Sequence, residues 1–529
     1  MPWKRRHLLA IPATLLVAAL FGGLYGPPVG IVSAASEDEF KTSLDQFAKV
    51  LSVVEQNYAE PVDSEAAIFS GAIPNMLHAL DPHSQFFDPD AFRQLRDDQK
   101  GEYAGVGMQI GPRNGRTVVI APFPKTPAYK AGLRPGDILA QANGESTEGL
   151  DTTEVAKRLR GPAGTEVAIG IERRGVDNLI QVSVVRANIP RKSVPVSFMI
   201  KPGIGFVKIE QFNETTGREL DDALDELDAK SLTGLILDLR GNRGGLLSEG
   251  VYVSDKFLEK GQTIVSHYGR SSSKRSYKTR SGNNGILFPM VVMVDCESAS
   301  ASEIVAGALQ DHDRAIVVGT PTFGKGLVQT VYPLGQTSGL ALTTARYYTP
   351  SGRLIQRSYD NVSLYEYYSD PCSERYQPLH AETKRTDRGR EVFGGGGITP
   401  DFRSQLHKMN EFEIAMARAY AFQSYAQQYT LQHPNLERGW QPTDAIVEDF
   451  REFLSREKIE FPEAAFNENK DFVKRMLKRE VYISAYDLDE GERVRFELDP
   501  DVQGALDLLP KAKELLDSPV STGSVVAGR

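Results

Sequence analysis

Three serines crowd one short stretch of small residues, Ser298, Ser300 and Ser302. Ser300 has alanine on both sides, while Ser298 follows Glu297 and Ser302 precedes Glu303, so steric access favours Ser300. A serine at the start of a helix can expose its hydroxyl at a sharp turn, beside backbone N–H groups that bind a developing oxyanion. The hydroxyl still needs a base. His312, the nearest histidine, lies on the far side of the helix in sequence. Lys325, between Gly324 and Gly326, is the better candidate, because a desolvated lysine can be neutral near pH 7 and take the proton. If residues 326–331 form a strand, Lys325, Leu327 and Gln329 share one face, and Gln329 can hold the amine in place. The bland alternative is a cluster of helix N-caps and a surface lysine in a glycine-rich loop, since short motifs alone often mislead.

The elements that must position these groups are legible around them. Val291, Val292, Met293 and Val294 form an apolar run suited to a buried strand. Residues 303–310 have helical character, with Ile304, Val305, Ala308 and Leu309 as the apolar stripe. Residues 315–318 form a second buried strand. Further upstream, residues 204–209 and 235–240 are strands with a helix over 216–229 between them. Gly241-Asn242-Arg243-Gly244-Gly245 follows directly. Such strand–helix–strand repeats imply an α/β core.

SASASEI at 298–304 with GKGLVQT at 324–330 resembles the carboxyl-terminal processing proteases, also called tail-specific proteases, a Ser–Lys peptidase class. The likeness runs over roughly residues 40–402. It implies that Ser300 is the nucleophile, Lys325 the general base and Gln329 the residue orienting the lysine. Glu303, Asp311 and Thr322 fall where some members carry supporting residues. The GNRGG run resembles the family's NPGG oxyanion loop, with Arg243 in place of proline. Gly244 or Gly245 is then expected to supply one oxyanion donor and the Ala301 N–H the other. The implied core is crotonase-like, an α/β fold of repeated ββα units. Residues 340–356 continue the family pattern, 359–392 form a polar, tyrosine-rich insertion, and 394–401 close the recognisable region.

Residues 102–187 look like a PDZ domain inserted before that core. Gly105, Val106, Gly107, Met108 and Ile110 resemble its carboxylate-binding loop and first strand, where backbone N–H groups cradle a peptide's C-terminal carboxylate. Met108 and Ile110 face either the peptide's last apolar side chain or the core. Residues 151–159 form the helix beside the groove. Asp81-Pro82-His83-Ser84 resembles the family segment that precedes the PDZ domain, with His83 read as structural. Residues 37–92 read as helical, with Phe40, Leu44, Phe47, Val50, Leu51 and Val54 at helical spacing. Such N-terminal helices serve dimerisation in the family, which implies a homo-oligomer.

At 529 residues the chain has room for several domains, and its 40% apolar and 25% charged content is ordinary for a globular protein. A net charge of −9 argues against general nucleic-acid binding, and the basic cluster Arg270, Lys274, Arg275, Lys278 and Arg280 reads as a solvated loop. Two cysteines, Cys296 and Cys372, give neither a disulfide framework nor a zinc cluster, and Cys296 reads as a packing residue. No metal or cofactor is expected. Lys4, Arg5 and Arg6 precede an apolar run over 8–25 and the small residues Val32-Ser33-Ala34, as in a cleaved signal or a membrane anchor. Either places the bulk in the periplasm or on the outer face of the membrane.

The expected order is a targeting segment (1–35), an N-terminal helical region (36–98), PDZ (99–188), protease core (189–402), a helical C-terminal region (403–517) and a disordered tail (518–529). The reading that follows is an exported serine endopeptidase that recognises protein C-termini through its PDZ domain and cleaves with a Ser–Lys dyad. A PDZ module on an inactive core is the alternative, against which the intact Ser300, Lys325 and Gln329 argue. The fold alone would also suit an acyl-CoA enzyme, but fold does not set function. A chymotrypsin-like PDZ protease would place its serine in a GxSGG loop, where this chain has Arg243.

Overall fold

The computed structural model describes residues 37–360, 362–369, 371–372, 382–404, 407 and 409–519. The expected targeting segment and most of the expected tail lie outside the described residues. Among the described residues no helix is long and apolar enough to cross a membrane. The chain divides into two compact units, one ending at Met76 and one beginning at Leu77.

The first unit opens with the helix Glu37–Asn57. Phe40, Leu44, Phe47, Val50 and Val54 stand on it at the spacing the sequence shows, and all are exposed. A short helix at Ser64–Ala66, capped by the Asp63 carboxylate, widens into a π-helical turn over Ala67–Ala72. Beyond Met76, in the second unit, the helical reading of 37–92 is interrupted before Phe92. Gln85–Phe87 is instead a strand, followed by the helix Pro89–Lys100 under an Asp88 cap. Gly101 closes that helix with φ +72°, a left-handed conformation that glycine adopts without penalty.

In the second unit, a six-stranded sheet orders as Val196–Lys201, Ile204–Lys208, Gly234–Asp238, Met290–Val294, Ile316–Gly319 and Phe402–Arg403. The first pair is antiparallel and the rest are parallel. The central strands are buried on both faces, as their unbroken Val, Ile and Leu runs require. Asp238 pairs with Met293, and Val294 with Gly319, so three strands end at one edge of the sheet. The loops that leave them therefore converge: 239–246 with the glycines, 295–300 with the serines, and 320–326 with the lysine. This is the carboxyl edge of a parallel sheet, where α/β proteins bind ligands.

A second sheet pairs the hairpin Leu327–Leu334 and Ser338–Tyr348 with Thr263–Tyr268 and Gln85–Phe87. The strand before the PDZ domain thus belongs to a sheet of the core, which makes the PDZ domain an insertion. Glu102–Gly105 enters it and Ala187–Pro190 leaves it, paired antiparallel with each other. Between them the strands Met108–Arg113, Arg116–Pro122, Ile138–Ala142, Glu166–Glu172 and Ile180–Val185 pack with the helix Thr152–Leu159 around Val119, Leu139, Val155, Val167 and Ile169.

The C-terminal region is helical, as expected. Its aromatic core gathers Phe422, Tyr425, Phe450, Phe453 and Phe466. Its last helices, Pro500–Asp507 and Leu509–Asp517, lay Val502, Ala505, Leu506 and Leu509 against Phe206, Ile236, Val291 and Met293 of the central sheet. Full burial of a Val or Leu side chain stabilises by about 1.5–3 kcal/mol relative to exposure. The same region touches the PDZ domain, where Arg113 donates to Ser424 Oγ at 2.6 Å.

The cysteine reading is corrected: Cys296 and Cys372 form a disulfide, with Cα atoms 5.1 Å apart and a sequence separation of 76. Two lone cysteines at that separation carry no spacing signal, because only tertiary approach pairs them. The bridge ties the loop before Ser300 to the tyrosine-rich insertion. Denatured protein without reductant should show no thiol in a chromogenic titration. Cys296→Ser should lower unfolding stability by up to about 4 kcal/mol, the chain-entropy expectation for a loop of this length. Two reactive thiols in unreduced protein would refute the pairing.

Candidate active site

The strand Met290–Val294 ends in a turn held by Asp295, whose carboxylate accepts the N–H groups of Glu297 and Ser298. The chain then reverses into the helix Ala301–Asp311 with Ser300 as its N-cap. Ser300 has φ +57° and ψ −112°, a left-handed-side conformation unusual for a residue with a Cβ. Such strain costs of order 1–3 kcal/mol and persists only where the surroundings over-determine it. They do so here. The Ser300 N–H donates to Glu303 Oε2 at 2.7 Å. Its carbonyl accepts from Glu303 N and Ile304 N, and the Tyr347 hydroxyl approaches it at 3.1 Å.

The three serines separate clearly. Ser298 Oγ is fully buried and donates to the Leu239 carbonyl at 2.8 Å. Ser302 Oγ is fully buried and donates to the Asn242 carbonyl at 2.8 Å. Ser300 is only partly buried; its hydroxyl oxygen faces the Glu303 N–H in the helix capping box, and among the described residues its proton is donated to no acceptor.

The glycine loop is fastened to this turn. Ala299 N–H donates to the Asn242 carbonyl at 3.0 Å, and Gly241 N–H to the Asp295 carboxylate at 2.9 Å. A Cβ at Gly244 would lie 2.7 Å from Ser300 Cβ, and one at Gly245 2.0 Å from the Phe212 carbonyl oxygen, so neither position tolerates a side chain. The Gly244 N–H is committed to Asn242 Oδ1 at 2.8 Å. Among the described residues no hydrogen bond occupies the N–H of Gly245 or of Ala301. Arg243 points outward, 79% exposed, to Glu297.

Lys325 leaves the loop after Gly324 (φ +87°), with its ammonium largely buried although the residue keeps some exposure. Burial pushes the amine below the ordinary lysine value, and the anions Glu303 and Asp81 pull it partly back. Nζ donates to Gln329 Oε1 at 3.0 Å. The strand begins only at Leu327 and shifts register between Val328 and Gln329, which brings the two side chains together. Gln329 Nε2 in turn donates to the His83 carbonyl at 2.6 Å. A carbonyl only accepts, so the amide must turn its nitrogen to His83 and its oxygen to the lysine. No hydrogen bond joins Lys325 Nζ to Ser300 Oγ among the described residues.

Sequence reasoning missed how the DPHS segment takes part. Asp81 accepts the N–H groups of His83 and Ser84 and the Ser84 hydroxyl, making a tight turn. Ser84 Oγ accepts the N–H of Thr343 at 3.1 Å, which docks the turn on the hairpin that carries Gln329. The His83 ring lies between Tyr367 (3.1 Å from Nε2) and Tyr368 (2.9 Å from Nδ1), both from the insertion. Burial first, then Lys325, hold the His83 pKa down to about 3, so the ring is neutral.

Glu303 joins the two halves. Its carboxylate is fully buried and accepts from Ser300 N, Thr322 Oγ1, Gly324 N and Lys325 N at 2.6–2.9 Å. Burial pushes this carboxyl above the usual range, against the pull of those donors. Thr322, itself buried, accepts the Ile398 N–H. Tyr347 is also fully buried, and its hydroxyl donates to the Lys325 carbonyl. Asp311 does not join this cluster. It sits at the other end of the helix, paired with Arg353 at 2.6 Å and accepting Ser351 N–H.

In the PDZ domain, Gly105 ends the entry strand, and Gly107 (φ +82°) packs against Thr126 where a Cβ would come within 2.4 Å. Val106 and Met108 are buried in the domain core, with Ile110 half-buried beside them. Among the described residues the strand Met108–Arg113 pairs only with Arg116–Pro122, so its other edge is open within the domain sheet.

Residues 203–361 match the sequence model of peptidase family S41, and residues 118–173 match a PDZ domain model. The class is a PDZ-bearing serine peptidase. A carboxy-terminal-processing protease of Bartonella bacilliformis is 38% identical over 329 residues, covering 61% of this chain and 75% of that one. The carboxy-terminal processing protease CtpB of Bacillus subtilis is 33% identical over 362 residues, covering 67% and 75%. A solved photosystem II D1 C-terminal processing protease is 28% identical, covering 68% of this chain and 92% of that one, at a TM-score of 0.36. The chain belongs to the carboxy-terminal processing proteases of family S41. Its fold is accordingly an α/β S41 core with a PDZ insertion and helical regions at both ends.

Replacing Glu303 tests what joins the halves. Glu303→Gln puts an amide donor where four donors already point. It should destabilise by roughly 2–4 kcal/mol, as expected for a buried, charge-assisted network losing its acceptor. Urea denaturation and peptide cleavage measure both effects, and wild-type values for stability and rate would remove the role.

Proposed function

We propose that this chain is an endopeptidase whose nucleophile is Ser300 and whose general base is Lys325, with Gln329 orienting the lysine. One observation carries the reading. Of the three clustered serines, among the described residues only Ser300 keeps its hydroxyl proton free of a backbone carbonyl, and it stands on a strained turn one loop from a buried lysine. When the amine is neutral, one N–H stays on Gln329 Oε1 and the lone pair turns to the Ser300 hydroxyl. Lys325 takes that proton as Oγ attacks the substrate carbonyl. The carbonyl oxygen becomes an oxyanion held by the free N–H groups of Gly245 and Ala301, while Gly244 shapes the loop. The lysine proton passes to the leaving amine, an acyl-serine remains, and water activated by the same lysine hydrolyses it.

The PDZ domain supplies substrate choice in this reading. A substrate's C-terminal segment adds as a strand to the open edge of Met108–Arg113, with its carboxylate at the Val106 and Gly107 amides. The protein works outside the cytoplasm, in the periplasm or on the outer face of the membrane. The Cys296–Cys372 disulfide and the basic-then-apolar N-terminal segment support that placement.

Ser300→Ala and Lys325→Arg should each reduce cleavage of a quenched peptide by at least about a thousandfold while the protein stays folded, and the double variant should be no worse. Near wild-type turnover by either would end the assignment. A lysine base acts only when neutral, so kcat/KM should fall as pH drops through a pKa depressed below 10.5. His83, neutral above about pH 3, does not contribute that limb. Gln329→Glu places an anion beside the ammonium, favours the charged form and should move the limb to higher pH. A limb that stays put would mean another group titrates.

Amidating the C-terminus of a tail peptide should weaken its binding to the protein. Equal affinities of acid and amide in a calorimetric titration would reject carboxylate recognition.

A further inference from the structure

The loop that carries Gly244 and Gly245 begins at Arg240, and Arg240 is gripped from outside the family core. Its Nη2 donates to Asp499 Oδ2 at 2.8 Å and its Nη1 to Asp501 Oδ2 at 3.3 Å, both in the C-terminal region. On the core side the same guanidinium meets Asp238 at 2.7 Å, and the Lys208 ammonium donates to the Arg240 carbonyl. Asp238 is fully buried at the end of its strand, and Lys208 is buried beside it. Arg240 is therefore fixed at its carbonyl and at its side chain, one residue before Gly241. From there Asn242 passes the restraint on. Its side chain holds Gly244 N–H, and its carbonyl holds Ala299 N–H and Ser302 Oγ.

We propose that Asp499, with Asp501 beside it, is a positioning residue for the oxyanion loop, so that the C-terminal helices complete the protease site. The proposal rests on the assignment of Gly245 and Ala301 as oxyanion donors. Asp499 suits the task because one carboxylate has two duties. Oδ1 caps the helix Pro500–Asp507 by accepting Asp501 N–H at 2.9 Å, and Oδ2 takes Arg240. The helix is seated by Val502, Ala505 and Leu506 on the central sheet, so its docking fixes where the carboxylate stands. Asp499 and Arg240 are each about a fifth exposed, at 20% and 18%, which leaves the pair poorly screened. A glycine-rich loop has little stiffness of its own, and a displacement of about 1 Å in a reacting geometry can lower a rate by about a hundredfold.

The decisive variant is Asp499→Asn, because asparagine caps a helix as well as aspartate and removes only the charge on Arg240. With a quenched peptide substrate, kcat should fall about tenfold while KM stays within about twofold, since loop misplacement acts on the transition state. Asp501→Asn, at the longer and more exposed contact, should fall about threefold on the same logic. Asp499→Glu, which keeps the charge, should recover most of the rate. A merely structural role predicts instead that kcat and the melting temperature fall together, with no recovery in Asp499→Glu. That pattern, or an unchanged kcat in both asparagine variants, would overturn the proposal. If Asp499→Asn does not fold, Asp501→Asn decides by the same readout. Ser300→Ala is run alongside: cleavage by that variant would sink the underlying assignment, whereas an inactive Ser300→Ala with unaffected Asp499→Asn sinks only this proposal.

Discussion

A fully buried carboxylate, Glu303, receives donors from two loops that are remote in sequence. Ser300 and Lys325 are 25 residues apart, and both present their backbone N–H to it, with Gly324 N–H and the Thr322 hydroxyl completing the shell. Burying an anion is costly unless hydrogen bonds replace its lost water. Here every replacement comes from the segments that carry the proposed nucleophile and base. The requirement to satisfy Glu303 therefore fixes the spacing of those segments. It also keeps the carboxylate off the lysine ammonium: its hydrogen bonds come from backbone and threonine groups, and Nζ goes to a neutral amide. A direct ion pair would hold the lysine protonated, which is the wrong state for a base.

The sheet makes this arrangement reachable. Parallel register brings the ends of Gly234–Asp238, Met290–Val294 and Ile316–Gly319 to one edge, so three loops meet without long excursions. Elements remote in sequence then close the site from its flanks. Gln85–Phe87 pairs with Ser338–Tyr348, bringing the His83 carbonyl to Gln329, and Tyr367 and Tyr368 hold the His83 ring. The insertion that carries those tyrosines is tied by Cys372 to Cys296, in the turn before the serine. Arg357 stacks on both Phe323 and Tyr367, which joins the lysine loop to the same insertion.

What the sequence revealed divides along this line. Ser300, Lys325 and the buried strands around them announce themselves through local spacing and apolar runs. The helix Glu37–Asn57 and the C-terminal helices do so through periodicity. Gln329 was within reach of simple alternation, although the register shift at Val328 was not. The rest depends on tertiary approach. Gln85–Phe87 is too short for a period and falls inside the helical spacing of 37–92. His83 was read as structural, and its side chain is held among aromatic rings, but the group that serves Gln329 is its carbonyl, which no residue type encodes. Tyr347, Asn242 and Asp499 sit in ordinary contexts, and their meaning comes from partners far along the chain. The cysteine pair failed for the same reason.

The strain at Ser300 explains why so much of this network is buried. A positive φ at a serine is unfavourable by of order 1–3 kcal/mol, comparable to the net worth of one or two hydrogen bonds. In water those bonds would exchange with solvent and could not hold the turn. Enclosed between Glu303, Tyr347 and the Asn242 loop, they have no competitor, and losing one leaves a buried polar group unpaired. The turn is thus stable because its surroundings are dry, and they stay dry because Ala301, Ile304 and Val305 fill the core directly beneath it. A substitution in that core therefore acts on the geometry of the Ser300 hydroxyl as well as on stability. The backbone turn at Ser300 is thus held by buried groups, Glu303 and Tyr347 among them.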